Sequence, residues 1–117
     1  MILTKRIYEP EAPEDGIRLL ITRYYPRGVK RHQYIERARD LSPSAELLCR
    51  YQNKEIRWEQ FLEEFTAEIR ANEKAQAIIK KLHEYSRDVD RNITLLRFEK
   101  EGENCHRYIV KAFIEES

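Results

Sequence analysis

The chain has 117 residues, with 22 lysines and arginines against 21 acids and a net charge of +1. That length suits one domain, residues 1–117, whose core needs neither metal nor disulfide staples. The near balance of charge excludes a molecule that binds nucleic acid or membrane by net charge alone. Two cysteines, Cys49 and Cys105, stand far apart without zinc spacing, so reduced thiols in a cytosolic setting are the expectation.

In chain order, Met1 to Tyr8 reads as a strand. Glu9 to Gly16 holds Pro10, Pro13 and an Asp15-Gly16 pair, and reads as a loop. Ile17 to Tyr25 opens on an apolar run, which suits a strand buried on both faces. Gln33 to Arg39 reads as a short helix. Ser42-Pro43 reads as an N-cap with proline at the first helical position, starting a helix through Leu47, Leu48 and Tyr51. From about Lys54 to Ala71 the residues Trp58, Phe61, Leu62, Phe65 and Ile69 share one helical face and should be core. Another helix spans about Lys74 to Tyr85. A charged loop, the Ile93 to Phe98 strand and a closing helix with Ile109, Ala112 and Phe113 complete the chain. No run approaches the length of a membrane span, and the N-terminus lacks a signal peptide's apolar core, so the expected setting is cytoplasmic, with no membrane partner.

The long helical connection from Tyr25 to Ile93 is what a parallel crossover requires. The loop between the first two strands is too short for one, so those strands are antiparallel or not neighbours. The expected fold is α/β: a small mixed, partly parallel sheet of about three strands with four to five helices packed on it.

If the second and third strands are parallel, the segments leaving them meet at one edge of the sheet, where ligands bind in open α/β folds. One segment is Arg23-Tyr24-Tyr25-Pro26-Arg27-Gly28. The other is Glu99 through Arg107. Asn104 as N-cap would put Cys105 in the first helical turn, where the unpaired amides and helix dipole favour an anion and a thiolate. The first expectation is therefore a site for an anionic, phosphate- or nucleotide-like ligand, held by Arg23, Tyr25, Arg27 and Arg107. The alternative is an enzyme with Cys105 as nucleophile and His106 or Glu99 assisting. The bland reading keeps Cys105 as a small buried filler and His106 as a cap.

A third reading rests on the stretch from Arg23 to Arg39, with six basic residues against the single acid Glu36 and with Tyr24, Tyr25 and Tyr34 interleaved. Such a mixture suits weak, electrostatic binding of single-stranded nucleic acid. A solvated helix face with core tyrosines explains it more simply. His32 and His83 have no partner at metal-ligand spacing, and three scattered glycines form no phosphate loop. No metal or cofactor is expected.

Thr4-Lys5-Arg6-Ile7-Tyr8, Asp15-Gly16, Arg23 with Tyr25-Pro26-Arg27-Gly28, Asp40-Leu41-Ser42-Pro43-Ser44 and the Trp58, Phe61, Phe65 helix together resemble the YeaO-like family, within a larger set of domains of unknown function. The resemblance implies a small prokaryotic α/β protein and brings no established activity. Family members often carry Asp where Thr22 stands and Trp where Tyr25 stands. The ending Glu99, Cys105, His106, Arg107 looks like the wider family's Cys-His-Arg pattern.

Overall fold

The computed structural model describes residues 1–24, 27–30, 36–88, 90–97 and 105–116. Its strands are β1 (Ile2–Arg6), β2 (Ile17–Leu20), β3 (Glu36–Arg37) and β4 (Ile93–Arg97). They form one sheet in the order β1-β4-β2-β3, and every pairing is parallel. The α/β fold and the partly parallel sheet are as expected, with one strand more and no antiparallel ladder among the described residues. β1 and β2 are not neighbours, because β4 lies between them. β4 is buried along its whole length, the environment its Ile-Thr-Leu-Leu run requires.

Four helices follow: α1 (Ala45–Gln52), α2 (Trp58–Ala71), α3 (Glu73–Ser86) and α4 (Arg107–Glu116). All four pack on one face of the sheet. Ile2, Leu19, Ile93 and Leu95 meet Leu47 of α1, Phe61, Phe65 and Ile69 of α2, Ala75 and Ile79 of α3, and Val110 and Ile114 of α4. The stripe read on α2 is thus the core. Burying a side chain such as Phe65 is worth roughly 1.5–3 kcal/mol. Trp58 is only half-buried and stacks on Phe61 at 5.0 Å, so it covers the core rather than filling it.

The opposite face carries the smaller cluster of Ile7, Leu20, Val29 and Leu96. There the loop before β2 is pinned by charge. The Asp15 carboxylate, 1% exposed, accepts from Arg18 Nη1 at 2.5 Å and from Lys5 Nζ at 3.0 Å. The Ala12 amide donates to it as well, at 3.1 Å. Burial works to raise this carboxyl's pKa. The Ala12 amide, Lys5 and Arg18 outweigh burial and hold it below the usual carboxylate value.

Two local expectations are corrected. Glu36 and Arg37 are strand rather than helix, paired with Leu19 and Leu20. Residues 33–35 lie outside the described residues. A two-residue edge strand has no periodicity of its own, and its pairing is set by the neighbouring strand. The N-cap of α1 is Ser44, whose Oγ accepts from the Leu47 amide at 3.1 Å, while Ser42 Oγ donates to the Arg39 carbonyl at 2.6 Å. Pro43 therefore stands before the cap and not inside the helix.

Candidate active and ligand site

Parallel ladders put every strand's C-terminal end at one edge. The ladder runs past the strand limits there. The Ile7 amide donates to the Arg97 carbonyl at 2.7 Å, Ile21 to Leu96 at 3.2 Å, and Ala38 to Leu20 at 2.8 Å. Arg6, Arg97 and Arg37 end their strands at this edge. Arg37 Nη2 donates to the Arg23 carbonyl at 2.7 Å. Tyr8 Oη donates to the Arg27 carbonyl at 3.0 Å. Arg107 opens α4, the helix that follows β4. Arg23, Arg27 and Arg107 thus share the edge the topology argument assigns them. Arg23 is half-buried, Arg27 exposed and Arg107 fully buried. Tyr25, Glu99 and Asn104 lie outside the described residues.

Cys105 stands just ahead of α4 and not in its first turn. The His106 carbonyl accepts from the amides of Ile109 and Val110, at 3.1 and 3.2 Å, so His106 closes the helix start. Cys105 is 3% exposed and His106 7%. His106 Nε2 lies 2.7 Å from the Ile21 carbonyl, which only accepts, so Nε2 carries the proton. In the neutral ring Nδ1 is then an acceptor, and it lies 3.7 Å from Cys105 Sγ. Phe65 meets the imidazole edge-on at 5.5 Å, so the core of α2 fixes the ring plane. Burial works against the Arg107 charge, but side-chain hydrogen bonds to Cys105 and Tyr108 outweigh it and raise the guanidinium's pKa.

Beside β2 and β3 lies a cleft of about 320 Å³, lined in part by Arg23, Arg39, Asp40, Glu68 and Asn72. It is of ligand size. Its charge is mixed: Glu68 is held by the amide and hydroxyl of Ser44, at 2.9 and 2.5 Å, and Asn72 Nδ2 donates to Asp40 at 3.4 Å. Thr22, 8% exposed, has a hydroxyl with no hydrogen-bond partner. Among the described residues no three His, Cys, Asp or Glu side chains gather as a metal site, and no helix is long and apolar enough to cross a membrane.

Sequence reasoning missed Arg97, which is 2% exposed. The signal was slight: Arg97 falls inside the Ile93 to Phe98 run read as a strand, and nothing in that run marks the guanidinium as buried.

A family model described as "Active DUF488-N3 subclade" matches residues 2–117. The chain belongs to that family. It is also 32% identical over 74 residues to "Uncharacterized protein YeaO" of Escherichia coli strain K12, a match covering 62% of this chain and 64% of that relative. The chain therefore spans less than two thirds of YeaO's length. No solved structure matches. The YeaO-like resemblance read from Arg23, Asp40 and the α2 stripe is thus supported.

Proposed function

We propose that the C-terminal edge of the sheet binds an anionic ligand of phosphate or nucleotide type. The observation that carries the reading is the burial of two guanidinium groups, Arg97 and Arg107, at the same end of one strand-to-helix unit. Taking two cations out of water costs free energy. Beneath a surface, in a low dielectric, they project a stronger positive potential than solvated charges do. Arg23 and Arg27 stand nearer solvent and supply the direct contacts. Both cysteines carry free thiols, which suits a reducing prokaryotic cytoplasm. Calorimetric titration at low salt should show inorganic pyrophosphate binding more tightly than phosphate. Arg23→Gln and Arg27→Gln should each weaken it roughly tenfold, the usual worth of a charged hydrogen bond. No binding of either anion, or binding untouched by both substitutions, overturns the reading.

A second reading is favoured by the fixed His106 tautomer. Cys105 has a base within reach, that base is oriented by a main-chain carbonyl, and a guanidinium bonds the sulfur: the arrangement of an activated thiol nucleophile. The word "active" in the family description fits it. A thiol reagent small enough to enter should alkylate Cys105 with a pH midpoint below the free-thiol value of about 8.5. Cys49 is exposed and serves as the second labelled position, separated by peptide mass spectrometry. Arg107→Met and His106→Asn should each slow the labelling of Cys105 at neutral pH. A Cys105 midpoint no lower than the free-thiol value removes the nucleophile.

A further inference from the structure

We propose that the anion taken at this edge carries a nucleobase, and that the base stacks on a rim of exposed tyrosines. The inference rests on the anion-binding reading above and names its ligand class.

Among the described residues, the exposed large hydrophobic side chains are Met1 at 66%, Tyr8 at 41%, Tyr24 at 59% and Tyr108 at 50%. Met1 precedes β1 and belongs to the opposite edge. The three tyrosines follow β1, follow β2 and open α4, so all three stand at the C-terminal edge. Tyr51 and Tyr85, on helices, are half-buried against the core. The exposed rings therefore segregate to the edge where the arginines gather.

Each ring is also held or flanked by an arginine. The Arg6 guanidinium lies over Tyr8 at 5.4 Å, and Arg107 lies over Tyr108 at 4.3 Å. Tyr24 follows Arg23 in the chain. Tyr8 Oη donates to the Arg27 carbonyl, and Tyr108 Oη accepts from Arg107 Nη2 at 2.8 Å. Two of the three rings are thus pinned at both hydroxyl and face while 41% and 50% of each remains open. A pinned aromatic has little conformational entropy left to lose on binding. Neighbouring strands lie about 4.8 Å apart, so the ends of β1 and β2 stand roughly 10 Å from each other with the end of β4 between them. That is the spacing for a phosphate over the Arg97 strand end with a base to its side. Aromatic platforms alternating with arginines are the chemistry that recognises nucleotides, whether free or at the end of a single strand.

Calorimetric titration of the whole chain with pyrophosphate, AMP, UMP and a short oligouridylate tests this. AMP should bind at least tenfold more tightly than inorganic phosphate. Tyr24→Ala should lower AMP affinity by roughly 5- to 100-fold and leave pyrophosphate affinity unchanged. Tyr24→Phe should keep the wild-type affinity, since the ring and not its hydroxyl carries the contact. Oligouridylate binding well above UMP assigns the rim to a strand, and equal affinity assigns it to a free nucleotide. Either outcome supports the proposal. AMP binding no tighter than phosphate while pyrophosphate still binds overturns the base-stacking rim and leaves the anion site standing. Loss of all anion binding in the wild type instead removes the reading beneath it.

Discussion

Gly16→Ala is expected to lower stability by about 3–5 kcal/mol, enough to unfold much of a typical domain. Gly16 holds φ +64° with ψ −131°, a conformation that side-chain-bearing residues rarely adopt. A Cβ there would also overlap the Asn92 main chain. That wall cannot yield cheaply. The Asn92 carbonyl accepts from the Ile17 amide at 3.0 Å, and its side chain donates to the Glu14 carbonyl at 2.7 Å. Ile17 and Ile93, one residue on from the clash, are the first register pair of β2 and β4. Gly28→Ala is the control. Gly28 also has positive φ, +79°, but nothing lies near an added Cβ, so only backbone strain of roughly 1–2 kcal/mol should appear. Urea unfolding followed by circular dichroism separates the two. Equal midpoints would mean that the turn before β2 is not seated against Asn92.

Asp15→Ala should cost about 3–5 kcal/mol, because it removes the carboxylate that balances the charge of the Arg18 guanidinium, which is 3% exposed. Asp15→Asn keeps an acceptor for the Ala12 amide and should cost less. The effect carries a pH signature. The carboxyl's pKa is lowered by folding, so the unfolded chain takes up the proton first as pH falls. Its contribution is complete above the ordinary carboxylate range, near 3.9. It is lost as pH drops through the lower folded value. Melting temperature should therefore fall less steeply below about pH 4 in Asp15→Ala than in the wild type. Parallel curves for the two proteins would show that the Asp15 cluster does not couple to folding.

Much of this was legible in the sequence because it is local. The Ile17–Ile21 run, the Trp58–Ile69 stripe and the length of the connection to Ile93 carry period and handedness in themselves. The convergence of Arg23, Arg27 and Arg107 followed from those alone. What was hidden depends on partners distant in the chain. Glu36 and Arg37 become a strand only because Leu19 and Leu20 offer an edge. Asp15 reads as a turn residue until Lys5 and Arg18 are brought to it. The Cys105–His106 geometry needed the Ile21 carbonyl, which no spacing within the motif discloses. Burial of Arg97 likewise comes from being in the central strand.

The position of β4 also fixes an order of events at the ribosome. Among the described strands β1 pairs with β4 alone, and β4 comes after all the others in the chain. A nascent chain that has not yet released Arg97 has no completed sheet, and the apolar edges of β1 and β2 wait unpaired. The arginines and the thiol of the proposed site come together last of all, with α4. A release of the chain before Ile93 would leave the helices without Ile93 and Leu95, the middle of the sheet face they pack on. Contacts so distant in the chain carry a large loop-closure cost, so the C-terminal quarter is expected to complete the sheet late in folding.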